Sequence, residues 1–264
     1  MKTWNNKVSK LTIQGDFVGL LIEEQTNVTW KSISNNIPKG VLSFALKACT
    51  NGLNTPDNLK RWGQRKFDKC DFCGNFSNLK HILNYCKVAL NQKRLTWQHD
   101  SILSYLILEM KKTKPINITI YADIPGLQFN SGTIPNDILV TSSRPDIVIL
   151  NRAAKSIELL KFTCSYESNI EKATTLKNRK YLDLKTDLEQ AGWHTQLVTF
   201  EAGSRGLVTK RNKISIYNST KRNQTNIKHK QVTKGISKIA LLCSFAIFQA
   251  RCKTTRQEPP FLHP

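Results

Sequence analysis

The chain has 264 residues, of which 39% are hydrophobic, a composition typical of a globular protein with one good core or two small domains. It carries 40 Lys and Arg against 19 Asp and Glu, and the charge of +21 excludes a balanced surface. Thirteen of the basic residues and no acid lie between Glu201 and Glu258. Because clustered positive charge attracts polyanions, the composition predicts DNA or RNA as the partner, rather than a merely soluble basic surface.

The N-terminal sequence MKTWNNKVSKLTIQGD lacks the apolar core of a secretion signal. The longest apolar run, residues 239–248, is about half of the roughly 20 residues that a membrane span needs, so it predicts a buried helix and no membrane association. The seven cysteines are an odd number, and without an export signal we expect no disulfides. These features predict a nuclear or cytoplasmic protein that is not secreted.

Residues 1–66 are basic and are predicted to be mostly helical. The sequence TPDNLKRWG supplies a helix cap at Thr55, a proline in the first turn at Pro56 and a stop at Gly63. These helices do not make a complete domain, and we expect the chain to begin partway through a larger protein.

Residues 67–100 contain four residues of the kind that bind zinc, in a C-x2-C-x7-H-x4-C spacing: Cys70, Cys73, His81 and Cys86. Zinc prefers four nitrogen and sulfur ligands in a tetrahedron, and a C-x2-C turn presents two sulfurs at once. No position is left for water, so the predicted zinc site is structural and supplies folding energy to a small module. The alternative is a set of reduced cysteines buried near a core histidine.

Local features of this module follow from the spacing. Gly74 suits the turn that presents both sulfurs, and Ser77 is placed to cap a short helix that carries His81. Cys86 would lie on a different face of a straight helix from His81, so we expect the helix to end or bend near Asn84. The other cysteines are predicted to be small apolar core residues: Cys49, Cys164, Cys243 and Cys252.

An amphipathic helix, RLTWQHDSILSYLILEM, follows the cysteines, and residues 111–137 mix short strands with Pro and Gly turns. In the predicted division into domains, residues 101–134 are a connector. From residue 135 to 253 the predicted order is strand, strand, helix, strand and a last helix near 236–252, with a basic loop over 205–234. This order predicts an α/β domain, followed by a tail at 254–264.

The basic helical segment, the cysteine–histidine spacing and the segments RPDIVI, ELLKFTCSYESNI and LKNRKYLDL together resemble the C-terminal part of a non-LTR retrotransposon polyprotein. The resemblance covers roughly residues 37–252 and is to the class with a restriction-like endonuclease downstream of its reverse transcriptase. It implies a CCHC zinc knuckle, a restriction-endonuclease-like mixed sheet with flanking helices, and nicking of target DNA to prime reverse transcription. Residues 1–66 would be a remnant of the region that follows the polymerase.

The resemblance implies that Asp146 is the first acid that holds Mg²⁺ against the scissile phosphate. The second acid of the family stands two residues before a threonine, and here that position is Lys161, before Thr163. Glu158 and Glu167 are the nearby acids that could replace the missing one. If the family register holds, strand alternation turns Glu158 away from the metal at Asp146. Glu167 either substitutes for the second acid or caps the helix that follows it. Because Lys161 repels a divalent ion and supplies no ligand, we expect the nuclease to be impaired.

Further basic residues complete the predicted site. Lys177 falls on the apolar stripe of the long helix, where a lysine either reaches toward solvent or, as the resemblance implies, lies near the scissile phosphate. Lys180 and Tyr181 match a Lys-Tyr pair that recurs in the family. The basic loop is predicted to hold backbone phosphates through six residues: Arg205, Lys210, Arg211, Lys213, Lys221 and Arg222.

The sequence therefore predicts a nucleic-acid-binding part of a retrotransposon polyprotein, with structural zinc and a Mg²⁺-dependent nuclease domain of impaired activity. It carries no reverse transcriptase site, because the segment IYADI has Ile124 where the second metal-binding carboxylate would stand. Two alternatives stay open. One is a non-catalytic, zinc-stabilised nucleic-acid-binding module, and the other is a zinc-supported protein–protein module, which leaves the acid-free stretch without a role.

Overall fold

The structure is a computed structural model that describes residues 7–13, 15–23, 34–112, 117–124, 126–128, 133–223 and 228–253. The predicted tail lies outside the described residues. The helices are α1 (Asp16–Glu23), α2 (Lys39–Cys49), α3 (Pro56–Arg61), α4 (Lys87–Asn91), α5 (Arg94–Lys112), α6 (Ile170–Gln190), α7 (Lys210–Arg222) and α8 (His229–Gln249). The strands are β1 (Thr119–Ala122), β2 (Ile147–Asn151), β3 (Ser156–Ser165) and β4 (His194–Gly203). Short turns of other helix types cover His81–Tyr85, Glu167–Asn169 and Ala250–Cys252.

The strands form one mixed sheet in the order β1-β2-β3-β4. The first two pairings are antiparallel, and the pairing of β3 with β4 is parallel, with α6 as the crossover between them. Helices cover both faces, so the predicted α/β class with a mixed sheet and flanking helices is confirmed. The predicted positions of β3, β4 and the long helix α6 agree with the structure to within a few residues.

Side-chain alternation along β3 assigns its residues to the two faces of the sheet. Ile157 and Leu159 pack against α6, in a cluster that includes Tyr181, Leu184 and Leu188. Leu160 and Phe162 point the other way, into a larger core built with residues of α5, α7 and α8. The predicted face of α6 is confirmed, because its apolar stripe is the side that packs on the sheet.

Helix α8 contributes to two cores. Its N-terminal half places Val232 and Ile236 in the large core under the sheet. Its C-terminal half places Leu241 and Phe248 in a second core, which it shares with α2 and with the residues that follow the cysteine hairpin. This second core crosses the predicted segment boundary at residue 66. Helix α8 and the turn after it, residues 229–252, are long and apolar enough to span a membrane by length and composition alone. Half of the most apolar part of this segment is buried inside the protein.

The predicted basic loop over 205–234 is wrong in its extent. Helix α7 begins after Thr209, whose hydroxyl accepts a hydrogen bond from the amide of Asn212 at 3.2 Å, and α8 begins at His229. Both helices bury an apolar side, including Ile216 of α7, which the many intervening lysines conceal in the sequence. The predicted amphipathic helix RLTWQHDSILSYLILEM is confirmed as α5, and the edge strand β1 lies in the segment predicted to contain short strands.

Candidate metal centre and the carboxylate at the sheet edge

Four side chains converge in the module between α3 and α4. The metal-binding atoms of Cys70, Cys73, His81 and Cys86 all lie within 4.8 Å of one another. The sulfurs of Cys70 and Cys86 are 3.9 Å apart, and the sulfur of Cys73 is 3.3 Å from Nε2 of His81. A tetrahedral zinc ion with sulfur bonds of about 2.3 Å needs its sulfurs about 3.8 Å apart. The predicted ligands are therefore brought together in an arrangement that fits zinc.

A tight hairpin presents the first two sulfurs. The amide of Cys70 donates to the carbonyl of Asn75 at 2.7 Å, and the amide of Gly74 donates to the carbonyl of Cys70 at 3.0 Å. Gly74 has φ +71, a left-handed backbone conformation that a residue with a Cβ adopts only with strain. The predicted role of this glycine in the turn is confirmed.

The other two ligands come from a π-helical turn, His81–Tyr85. The amide of Cys86 donates to the carbonyl of His81 at 2.9 Å, and the wider turn brings a residue five positions later back toward the histidine. The backbone becomes extended at Cys86, which confirms that a straight α-helix could not carry both ligands. The predicted cap at Ser77 is wrong, because the side chain of Asn78 accepts the hydrogen bond from the amide of His81 instead.

Burial shifts the pKa values of two of the ligands in opposite directions. It lowers the pKa of His81, which favours the neutral imidazole that metals bind, and it raises the pKa of the Cys70 thiol to about 11. Cys70 would therefore have to lose its proton in order to hold a zinc ion. The ion, when bound, supplies a structural crosslink between the hairpin and the π-helical turn.

The remaining cysteines divide by burial. Cys243 is buried, and Cys49 and Cys164 are half-buried, as expected for small apolar residues. Cys252 is exposed, so its predicted place in the core is wrong. It follows α8, at the end of the described chain, where the helix has already left the second core.

The predicted Mg²⁺ ligand Asp146 precedes β2 at the edge of the sheet. Its side chain is only 4% exposed, and both carboxylate oxygens accept bonds from the protein. Oδ1 forms an ion pair with Nζ of Lys161, and Oδ2 accepts from the amide of Phe162 at 2.7 Å and lies 3.3 Å from Nε2 of His99. Burial by itself would raise the pKa of Asp146, but His99 and Lys161 together lower it below its ordinary value.

The expectation that Asp146 and Lys161 share a face is confirmed, because the two residues flank the paired Ile147 and Leu160 and their side chains form an ion pair. Nζ of Lys161 is also 5.6 Å from the ring of Tyr181 on α6. Lys177 is half-buried on the same helix, and its pKa is lowered by burial and by the charge of Lys161. Lys180 is exposed, with Nζ 5.6 Å from the Tyr181 ring. Lys161 and Lys177 therefore lie near the buried carboxylate of Asp146, whereas the contact of Lys180 is with the Tyr181 ring.

Neither substitute acid reaches this carboxylate. Glu158 lies on the opposite face of β3, as predicted, where it accepts hydrogen bonds from Arg222 at 2.9 Å and Asn223 at 2.7 Å. Glu167 is buried and binds Arg205 instead. Among the described residues, the cysteine–histidine cluster is the one group of three or more His, Cys, Asp or Glu side chains that could hold a metal ion. The residues around Asp146 therefore do not fit Mg²⁺, because Lys161 occupies the cation position.

His99 is the member of this site that sequence reasoning missed. It lies on α5, and Nδ1 is 2.9 Å from Asp100 while Nε2 faces Asp146. Burial by itself would lower the pKa of His99, but the hydrogen bonds and charges of Asp100 and Asp146 raise it to about 9. The adjacent letters His-Asp were the available signal, but nothing local connected α5 to β2.

Two of the predicted phosphate-binding residues serve internal roles. Arg205 is 2% exposed, and its guanidinium donates to Glu167 at 2.8 Å and stacks on Phe17 and Tyr166. Its prediction as a surface phosphate ligand is wrong, because a buried carboxylate requires a buried cation. Arg222 is partly exposed, but its guanidinium pairs with the buried Glu158.

The other predicted cations face outward to different degrees. Lys213 is half-buried, and burial lowers its pKa. The other three of these predicted cations are on α7 and are exposed: Lys210, Arg211 and Lys221. Three further exposed lysines lie at the start of α8, and the sequence analysis did not name them: Lys228, Lys230 and Lys234. The acid-free stretch therefore presents its cations on two adjacent helices.

Comparison with known proteins finds no family model and no curated protein that matches the chain. The retrotransposon relationship therefore stays a prediction.

Replacing a zinc ligand tests the metal centre. We expect the wild type to contain one zinc per chain and Cys70→Ser to lose it, with a fall in stability of at least about 3 kcal/mol because the adjoining core loses its crosslink. Elemental analysis and urea unfolding measure both quantities. The matched control is Cys252→Ser, which changes an exposed cysteine outside the cluster and should keep the zinc. Equal zinc content in both variants would contradict the assignment.

The pKa of His99 predicts a pH dependence of stability. Its value rises from 6.5 to about 9 on folding, so its contribution is complete below pH 6.5 and is lost as the pH rises through 9. The contribution is on the order of 3 kcal/mol at most. We expect the urea midpoint of the zinc-loaded wild type to fall between pH 6.5 and 9, and His99→Gln to remove most of this slope. His194→Gln, at an exposed histidine, is the control; a wild-type slope retained in His99→Gln would show that other groups cause it.

Proposed function

We propose that the chain is a zinc-stabilised nucleic-acid-binding module of a non-LTR retrotransposon polyprotein, in which a restriction-endonuclease-like domain keeps its sheet but does not cut DNA. The observation that carries the binding function is the set of exposed cations on α7 and α8. Neither helix contains an acid, so these charges have no acidic neighbour on their own helices. Cations of this kind hold backbone phosphates and position a nucleic acid without reading its sequence.

The absence of cutting rests on the partners of Asp146. Its oxygens are occupied by an ammonium group, a backbone amide and an imidazole, and the second carboxylate that a metal-dependent nuclease needs is replaced by Lys161. An ion that approached Asp146 would have to displace a lysine that is tethered to the adjacent strand and is 13% exposed. The geometry therefore favours an internal salt bridge over a metal site.

A second candidate is a nuclease of low activity. The observation in its favour is that Asp146, Lys161 and Lys177 gather at one edge of the sheet, as the family resemblance implies for a cutting site. Lysine is flexible, and a nucleic acid phosphate could draw its ammonium away from the carboxylate. The two candidates predict opposite results in a nicking experiment.

Removing the exposed charge of α7 tests the binding function. We expect Lys210→Ala/Arg211→Ala/Lys221→Ala to weaken binding to a DNA duplex roughly ten-fold at low salt and to lower the slope of log K against log salt by about two to three, because each phosphate contact contributes about one unit. Fluorescence anisotropy at several salt concentrations measures both values. The control, Lys39→Ala/Lys47→Ala/Lys111→Ala, removes the same charge from exposed sites on other helices. No binding by the wild type at low salt would end the proposal.

A plasmid-nicking assay with Mg²⁺ or Mn²⁺ tests the state of the nuclease site. We expect no nicking by the wild type, and nicking by Lys161→Glu, because the substitution places a second carboxylate at the position from which Lys161 now contacts Asp146. Lys161→Gln, which removes the charge without adding a ligand, is the matched control and should not nick. Nicking by the wild type that disappears in Asp146→Ala would favour the second candidate.

A further inference from the structure

Exposed aromatic side chains are concentrated in the zinc module. Trp62, Phe67, Phe76 and Tyr85 are between 41% and 56% exposed. Across the rest of the described chain, Tyr217 is the other Phe, Tyr or Trp side chain in the exposed class. Exposed rings of this size are unfavourable in water, so their grouping in one small module indicates a surface that meets a partner.

Two of these rings lie on one side of the metal-binding hairpin. Lys69 and Phe76 are bridge partners, and hydrogen bonds on either side of them join Cys70 to Asn75 and Ser77 to Asp68. This pattern makes Lys69 and Phe76 a non-hydrogen-bonded pair, in which the facing side chains approach most closely.

Burial distinguishes the two sides of the hairpin. Cys70 and Ser77, which follow the bridged pair, are buried, and Cys70 is one of the four candidate metal ligands. Burial alternates along the preceding residues, since Phe67 and Lys69 are exposed, Asp68 is half-buried and Cys70 is buried, and this pattern places Phe67 on the outer side with Lys69 and Phe76. We name Phe67, Lys69 and Phe76 the aromatic face.

The net charge around the aromatic face is positive, because four cations surround two acids. The nearby acids Asp68 and Asp71 already pair with Lys60 and Arg65. Nζ of Lys66 lies 5.4 Å from the Phe67 ring, within cation–π range. In the described part of the chain, neither Lys66 nor Lys69 forms an ion pair with an acid. The surface thus combines two open rings with two ammonium groups that form no ion pair in the described part of the chain.

We infer that the aromatic face binds single-stranded nucleic acid, with unpaired bases stacked on Phe67 and Phe76 and phosphates held by Lys66 and Lys69. This inference rests on the proposed function and names the form of nucleic acid that the zinc module takes. Bases in a duplex are already stacked on their neighbours, so an open ring gains contact only with bases that are unpaired. An apolar protein partner would complement the rings but would leave the two lysines unmatched.

The experiment compares a labelled 20-nucleotide single strand with the duplex of the same sequence, using the full zinc-loaded chain. We expect Phe67→Leu/Phe76→Leu to weaken single-strand binding by about ten-fold or more, and duplex binding by less than about two-fold, because leucine keeps apolar area but cannot stack. Phe67→Tyr/Phe76→Tyr keeps the stacking surface and should bind as the wild type does. Leu46→Ala, at an exposed leucine on α2, controls for the loss of exposed apolar area.

The outcomes separate this inference from the proposed function. Zinc content is measured for each variant, and because both rings are exposed we expect it to remain unchanged. The inference would be overturned if Phe67→Leu/Phe76→Leu bound both nucleic acids as the wild type does, or if it weakened single-strand and duplex binding equally. Either result would leave the proposed function unchanged. Failure of the wild type to bind either form at low salt would overturn both.

Discussion

The burial of helix α8 is the constraint on which the rest of the structure depends. One half of this helix completes the core under the sheet, and the other half completes the core beside the zinc ligands. Arg94, which is 3% exposed, fastens the start of α5 to the same end by donating to the carbonyl of Lys253 at 2.7 Å. The zinc module and the sheet therefore share the packing of α8. Loss of the metal centre is expected to weaken the packing of the same helix that supports the sheet.

The buried carboxylate of Asp146 obeys the same physical requirement with or without metal chemistry. A carboxylate that is almost fully removed from water needs a cation and hydrogen-bond donors, and breaking such a pair by removing one partner costs about 3–5 kcal/mol. Lys161, His99 and the amide of Phe162 supply those partners from the protein itself. The sheet edge is thus stable as folded, and the feature that stabilises it is also the one that opposes a divalent ion.

Net charge alone gives an incomplete account of the basic surface. Arg205 and Arg222 come from the same acid-free stretch as the exposed lysines, yet they neutralise Glu167 and Glu158. Those two carboxylates are buried, so Arg205 is buried with its partner, and the charge of the exposed Arg222 is already neutralised by its own. The cations that stay available lie on the outer sides of α7 and α8 and on the hairpin of the zinc module, and the surface is built from fewer charges than the composition suggests.

The sequence by itself determined the features that depend on near neighbours in the chain. The cysteine–histidine spacing located the metal ligands, and alternation along β3 correctly separated Glu158 from Lys161. Only the tertiary structure decided which distant groups meet, such as His99 with Asp146 and Arg205 with Glu167, and it replaced the expected basic loop with two helices. The physical reason is that periodicity and spacing report local geometry, whereas the partner of a buried charge is chosen by the packing of segments far apart in the sequence.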